Sequence, residues 1–190
     1  MDKYLIVIMV FSAMLMVVSC VTDDKKTVSN TNTKEVVKKA SNSALAQRLY
    51  SNFHGDPVTQ AQKDENALIE YAVKNNIDVK KTQSGLYYIF HKEGKGPLYV
   101  HNQPVSANYS GYFLDGKIFD SSYNRGKPIS FNVGMMIPGW NEALKMMNAG
   151  TKAQLLIPSH LAYGPNGFRG FVGPNMPLIF DIETLPLGTR

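Results

Sequence analysis

The sequence predicts an α+β fold in which an antiparallel β-sheet wraps around one short helix, preceded by two short helices and a flexible tether. Three observations lead to this prediction. After Ser84 the chain alternates β-prone runs with turn residues, one helical stripe interrupts those runs, and two further helical stripes come before them. Many strands with a single internal helix favour a sheet packed on that helix.

Composition narrows the class of protein. The chain has 190 residues, of which 44% are hydrophobic and 11% aromatic, so most of it should fold. Its net charge of +5 comes from 20 basic and 15 acidic side chains, without the concentrated basic stripe of a nucleic-acid binder. A single cysteine and four widely separated histidines disfavour a disulfide scaffold and a Cys/His metalloprotein.

The first twenty residues predict a bacterial lipoprotein signal. Leu5 to Val18 is an uncharged run of 14 apolar or small residues, shorter than the roughly 20 that span a bilayer but typical of a signal peptide. Val17-Val18-Ser19-Cys20 resembles a lipobox, in which the cysteine is acylated and becomes the new N-terminus. We therefore expect a signal peptide over residues 1–19 and lipidation, including palmitate, at Cys20; the alternative is an uncleaved anchor helix with an incidental cysteine.

The segment after Cys20 has the composition of a tether. Residues 21–43 contain no aromatic residue, glycine or proline and are rich in Thr, Asn, Ser and Lys. Such a stretch cannot bury enough apolar area to offset its ordering entropy. We predict a lipidated flexible tether over residues 20–43. Asp23-Asp24 is either a sorting signal for one membrane face or simply part of the solvated tether.

Residues 44–83 are predicted to form a helical segment. Leu45, Leu49 and Phe53 recur at i, i+4 and i+8, which predicts a short helix that ends before Gly55 and Pro57. This helix and the one that follows it either pack on the following domain or pair with a second copy of the chain. A homodimer is therefore left open.

The second helix of this segment has a clear start signal. Thr59 and Gln62 have the spacing of a capping box, and the helix should run to about Asn75. Its predicted apolar face consists of Ala67, Leu68, Tyr71 and Ala72.

From residue 84 onward the sequence predicts strands, turns and one helix. Asp115-Gly116 is a hairpin signal. Trp140, Leu144 and Met147 share one face of a predicted helix. That helix should end at residues 148–150. The predicted strands cover residues 86–90, 105–113, 129–133, 153–157 and 178–185.

A series of short motifs then suggests a family. In order they are Tyr109-Ser110-Gly111, Phe119-Asp120-Ser121-Ser122, Ile137-Pro138-Gly139-Trp140, Ala162-Tyr163-Gly164 and Phe180-Asp181-Ile182-Glu183. Each motif is weak alone, but in this order and spacing they resemble the FKBP-type peptidyl-prolyl cis-trans isomerases. The lipobox, tether and N-terminal helices resemble the bacterial, membrane-anchored, macrophage-infectivity-potentiator-like branch. The resemblance implies an FKBP-like isomerase domain over residues 84–190.

The residues suit this chemistry. Amide resonance gives rotation about a peptide bond a barrier of about 18–20 kcal/mol, and a dry aromatic cavity weakens the charge-separated resonance form. The reaction needs an aromatic box, donors for the flanking carbonyls and a polar group near the rotating one. We therefore expect neither a metal nor any other cofactor.

The resemblance assigns roles within this box. It implies that Trp140 forms the floor and Val172 the rim, with Tyr109, Phe119, Ile137 and Phe180 as walls. It also implies that the Ile137 N–H and the Tyr163 hydroxyl bind substrate carbonyls, while Tyr109 holds the Asp120 carboxylate. Alternatively, Trp140 and Phe180 are ordinary core residues, and Asp120 caps a turn with Ser121 and Ser122.

Several positions depart from the family pattern. Ile129 stands where an aromatic residue often follows Lys-Pro, and the loop 134–137 is two residues shorter than in small cytosolic members. Met136 stands where valine is common, and Phe168 where histidine is frequent. We expect both to contact substrate.

The predicted function is isomerisation of X-Pro bonds that assists the folding of exported proteins. The expected partners are proline-containing segments of exported polypeptides and, through the lipid anchor, a membrane; nucleic acid is not expected. The predicted location is the bacterial cell envelope, with the outer membrane favoured over the inner. The alternatives are a non-catalytic module that binds proline segments and an accessory lipoprotein of an envelope or motility assembly.

Overall fold

An antiparallel sheet with helices packed on both faces organises residues 44–186, the part of the chain that this computed structural model describes. The predicted signal peptide and tether, with Cys20, lie outside these residues. Within them, no helix has the length and apolar character needed to cross a bilayer. The elements are α1 (44–50), α2 (Gln60–Lys74), β1 (Lys80–Lys81), β2 (Tyr87–Lys92), β3 (Pro104–Tyr112), β4 (Ile118–Ser121), β5 (Ile129–Asn132), α3 (Pro138–Leu144), β6 (Lys152–Ile157) and β7 (Leu178–Thr184).

The sheet confirms the predicted α+β class. Its strand order across the described residues is β1-β2-β6-β7-β3-β4, β5 pairs with the start of β3, and every pairing is antiparallel. The five predicted strands are present with ends shifted by at most two residues. Two strands were not predicted, β1 and β4. Both are short, and β4 follows the hairpin that Asp115-Gly116 indicated.

Helix α3 packs on the inner face of the sheet. Trp140, Ala143 and Leu144 are fully buried there. Gly139 allows the close approach, because a Cβ at that position would lie 2.7 Å from Cγ2 of Ile157.

The predicted α3 is too long. Met147 is buried but follows the helix, because the chain tightens after Leu144: the N–H groups of Met146 and Met147 bond to carbonyls three residues back. Such tight final turns are common at helix ends.

Helices α1 and α2 pack on the outer face of the same sheet. Their buried side chains join side chains of β2, β6 and β7 in a second core, which crosses the predicted boundary at Ser84. This settles that the helices pack on the following domain. The second core consists of Leu49, Leu68, Ile69, Ala72, Val79, Tyr87, Leu156 and Ile179.

The ends of these helices differ in how well the sequence predicted them. Thr59 caps α2 as expected: its hydroxyl accepts from the Gln62 N–H, and the Gln62 side chain accepts from the Thr59 N–H. Helix α1, in contrast, ends at residue 50. Phe53 lies beyond it with 37% of its surface exposed, because residues 51–53 form a tight turn instead of a further helical turn.

Candidate active site

Trp140 lies at the centre of a cluster of aromatic rings. Its indole contacts the rings of Tyr109, Phe131 and Phe180 edge to face, with centroids 5.2, 5.8 and 5.4 Å away. It is buried, and among the described residues its Nε1 has no hydrogen-bond partner. Ring packing therefore fixes the indole, since edge-to-face pairs add stability beyond buried area.

Gly111 brings two further aromatic walls together. Its backbone pairs with Asp120 of β4 and Phe180 of β7. A Cβ at this position would lie 2.7 Å from the Phe119 ring and 2.8 Å from the Phe180 ring. These rings meet edge to face with centroids 5.6 Å apart. The glycine of the Tyr109-Ser110-Gly111 motif thus provides room for the pocket wall.

A polar cluster lies beside these rings. The Tyr109 hydroxyl donates to Oδ2 of Asp120, and Nη1 of Arg125 pairs with Oδ1. Nη2 of Arg125 donates to the Tyr109 hydroxyl at 2.8 Å, and the guanidinium lies 5.4 Å from the centre of the Tyr109 ring. The Asp120 side chain keeps 39% of its surface exposed. The carboxylate is therefore held from two sides while one side stays open to a ligand.

Two buried serines that follow Asp120 in the chain, Ser121 and Ser122, bond to β3. The Ser122 hydroxyl accepts from the Tyr109 N–H at 2.9 Å, and the Ser122 N–H donates to the Tyr109 carbonyl at 3.0 Å. The hydroxyls of Ser110 and Ser121 are 3.1 Å apart. Because Ser121 and Ser122 bond to β3 while the Asp120 carboxylate bonds to Tyr109 and Arg125, Asp120 does not cap a turn with these serines.

Electrostatics keep the hydroxyls of the site protonated. Burial, followed by the hydrogen bond to Asp120, raises the pKa of Tyr109 to about 12. Burial and then the negative charge of Asp120 raise the pKa of Tyr163. Because tyrosine ordinarily titrates near pH 10, both hydroxyls are donors at neutral pH.

The loop before α3 presents a backbone donor. Oδ1 of Asn141 accepts from the N–H groups of Gly134 and Met136, at 2.9 and 3.2 Å, and its Nδ2 donates to the Met136 carbonyl. The Ile137 carbonyl is taken by the N–H groups of Trp140 and Asn141. Across residues 44–186, the Ile137 N–H has no hydrogen-bond partner. It can therefore donate a hydrogen bond to a carbonyl of a ligand.

An aromatic stack follows Tyr163 on the connection between β6 and β7. The half-buried Tyr163 ring stacks on Phe168, with centroids 5.1 Å apart, and Phe168 stacks on Phe171 at 5.4 Å. Phe168 and Phe171 are 49% and 61% exposed. Val172, expected at the rim, is only 5% exposed and packs in the core that contains Trp140. The exposed rim is thus formed by phenylalanines.

The structure groups the predicted site residues around one centre. Met136, Ile137, Phe119 and Tyr163 pack against the core that contains Trp140. Sequence reasoning missed three residues, Arg125, Phe131 and Asn141. Phe131 was detectable because it shares one face of a predicted strand with Ile129, in alternation with the polar Ser130 and Asn132. No local pattern indicated that Arg125 or Asn141 folds back on its neighbours.

A sheet around one short helix, with a buried aromatic cluster beside an Asp–Tyr–Arg group, defines a domain suited to hold a proline ring. A family model described as FKBP-type peptidyl-prolyl cis-trans isomerase matches residues 98–185. The chain belongs to this family, which confirms the resemblance that the motifs suggested.

Individual relatives agree. The chain is 40% identical to Escherichia coli FkpA over 144 residues, or 75% of this chain and 53% of that protein. It is 40% identical to the Coxiella burnetii isomerase Mip over 114 residues, 60% of this chain and 50% of that protein. The chain thus spans about half the length of these relatives.

Solved structures confirm the fold. The crystal structure of FkpA from Escherichia coli matches with a TM-score of 0.60 and 32% identity, covering 85% of this chain and 74% of that one. A peptidyl-prolyl cis-trans isomerase from Pseudomonas syringae matches with a TM-score of 0.58 and 32% identity, covering 70% of this chain and 98% of that one.

Proposed function

We propose that this protein catalyses cis–trans isomerisation of X-Pro bonds in exported polypeptides. The observation that carries the proposal is the open side of the Asp120 carboxylate beside the aromatic cluster around Trp140. A proline ring packed on that cluster brings the imide out of water and next to a fixed negative group.

Isomerisation proceeds here by binding alone, without forming or breaking a covalent bond. The rings of Tyr109, Phe119 and Phe180 exclude water from the imide, so its charge-separated resonance form, which gives the bond its double-bond character, loses solvation. The barrier to be lowered is about 18–20 kcal/mol for a peptide bond.

Three polar groups hold the twisted imide. The Ile137 N–H and the Tyr163 hydroxyl donate to carbonyls on either side of the proline, which keeps the flanking chain still while the bond rotates. The Asp120 carboxylate faces the rotating carbonyl group, and the ion pair with Arg125 holds that carboxylate in place. Groups fixed before the reaction stabilise a transition state without reorganising.

The cellular setting of this activity is also part of the proposal. We infer that Cys20 is acylated and that residues 20–43 tether the domain to a membrane of the bacterial envelope. The uncharged run before Cys20 and the polar composition after it support this inference. A homodimer through the N-terminal helices would use surfaces other than the second core, because the buried faces of α1 and α2 already contact the sheet.

The test is an isomerase assay on a tetrapeptide with one X-Pro bond. Exchange NMR serves as the readout, so that no coupling protease is needed. We expect the purified chain from Ser43 onward to accelerate exchange between the cis and trans forms. Trp140→Leu is the loss-of-pocket comparison. Binding of the peptide without faster exchange would favour the non-catalytic module instead.

A further inference from the structure

Asp64 is a buried carboxylate on α2 that the isomerase mechanism does not use. Only 2% of its surface is exposed, and across the described residues it forms no ion pair with a lysine, arginine or histidine. Its partners are amides: Oδ2 accepts from the Ser159 N–H at 2.7 Å, and Oδ1 accepts from the Gln60 side chain at 2.6 Å. Burying a charge is costly unless it is hydrogen-bonded, so this position needs an explanation.

The Ser159 N–H is the first donor of the segment that leads to Tyr163. Ser159–Leu161 is a 3-10 turn directly after β6, with the N–H groups of Leu161 and Ala162 bonded to carbonyls three residues back. The first N–H groups of any such turn lack partners within it. Asp64 caps this turn from another element, 95 residues away in sequence, and Tyr163 follows the turn by two residues.

Helix α2 also contacts the other end of the same connection. We define the active-site loop as residues 158–177, which join β6 to β7 and carry Tyr163, Phe168 and Val172. The Asn175 N–H donates to the Gly164 carbonyl at 2.8 Å, which closes the loop one residue after Tyr163. Nε2 of Gln60 reaches the Asn175 carbonyl at 3.4 Å. The first turns of α2 therefore hold both ends of the active-site loop.

We propose that Asp64 is a positioning residue for Tyr163: it fixes the active-site loop so that the Tyr163 hydroxyl meets the substrate carbonyl. The inference rests on the proposed isomerase function. Helix α2 lies outside residues 98–185, which the family model matches. The inference makes this helix part of the catalytic unit, because its buried carboxylate, as well as its apolar face, contacts the sheet domain.

The principal variants are Asp64→Ala and Asp64→Asn. The alanine leaves the Ser159 N–H uncapped, and we expect kcat/KM for the proline tetrapeptide to fall by up to about tenfold, the size of one lost substrate hydrogen bond. The asparagine keeps an oxygen acceptor, so it should restore most of this loss. Gln60→Ala, at an exposed residue, should lower kcat/KM in the same direction by a smaller factor.

Leu68 provides the matched control. It lies on the same helix in the second core, whose members include no residue of the active-site loop. Leu68→Val or Leu68→Ala, whichever matches the melting temperature of Asp64→Ala, should leave kcat/KM unchanged below the melting transition. An equal loss in the control would show that Asp64 only stabilises the fold and would overturn the proposal.

A double-mutant cycle tests the route through Tyr163. If Asp64 acts by placing the Tyr163 hydroxyl, Asp64→Ala should cost less than about twofold in a Tyr163→Phe background, because residues that act together are not additive. Full additivity would contradict the inference.

Hydrogen exchange separates this inference from the proposed function. Peptides covering residues 158–177 should exchange faster in Asp64→Ala than in the matched Leu68 variant, whether or not the wild type turns over the peptide. An inactive wild type with this difference would refute the isomerase proposal alone. An active wild type without the difference would refute the positioning role alone.

Discussion

Tyr109 on β3 and Asp120 on the neighbouring β4 meet through their side chains, with the tyrosine hydroxyl donating to the carboxylate and Arg125 bonded to both. The tyrosine thus has two functions, since its ring packs on Trp140 while its hydroxyl orients the Asp120 carboxylate. The same contact links the shape of the pocket to its charge.

Removing the Tyr163 hydroxyl should impair turnover only mildly. Tyr163→Phe keeps the ring that stacks on Phe168 and deletes one donor. A neutral hydrogen bond contributes a net 0.5–1.5 kcal/mol or so, which corresponds to a loss in kcat/KM of about tenfold or less. Steady-state kinetics measure this, and a loss above a hundredfold would show that the ring is also misplaced.

Truncating the aromatic cluster should lower activity and stability together. Trp140→Ala and Phe180→Ala each leave a cavity in the core, at a cost of about 3–5 kcal/mol in the free energy of unfolding. Urea denaturation followed by circular dichroism measures the cost. A variant that loses turnover at unchanged stability would mean that its ring contacts substrate but does not support the core.

The raised pKa of Tyr109 predicts a late alkaline transition. Its folded-state value of about 12 lies above the ordinary 10, so the folded state holds this proton more tightly than the unfolded state. The resulting stabilisation is complete below pH 10 and disappears as the pH rises from about 10 through about 12. Ultraviolet titration of tyrosinate in wild type and Tyr109→Phe should differ by one late-titrating group; a difference near pH 10 would contradict this.

Replacing Cys20 should release the protein from the membrane. If the cysteine is acylated, Cys20→Ser lacks the acyl chains, each methylene of which contributes about 0.8 kcal/mol to membrane binding. Fractionation and detergent partitioning compare the variant with the wild type. Unchanged membrane association of Cys20→Ser would favour an uncleaved anchor helix over the lipoprotein.

Local signals in the sequence predicted the helices and strands well. Contacts between residues far apart in the sequence could not be predicted from it. Thr59 and Gln62 located the start of α2, because capping depends on neighbours in the chain. Asp64 gave no signal, since its burial depends on a partner 95 residues away.

The site shows the same division between local and distant information. The motifs located Trp140 and Asp120, because the family preserves their order and spacing. The side chain of Arg125 contacts Asp120 because the turn between them folds back. A separation of five residues does not by itself predict that fold. Val172 was expected at the rim, but side-chain burial on a loop depends on how the whole loop folds back.

The central claim is that the Asp120 carboxylate acts on a proline imide bound in the aromatic pocket. In Asp120→Val the new side chain is similar in volume to aspartate, so the variant loses only the charge and the hydrogen bonds of the carboxylate. Asp56→Val makes the same change at an exposed position and serves as the control. The most direct measurement is kcat/KM for cis–trans exchange of the tetrapeptide by both variants and the wild type, beside circular dichroism melts. We predict an active wild type, an active control, and a folded Asp120→Val with strongly lowered kcat/KM; full turnover by a folded Asp120→Val would contradict the account.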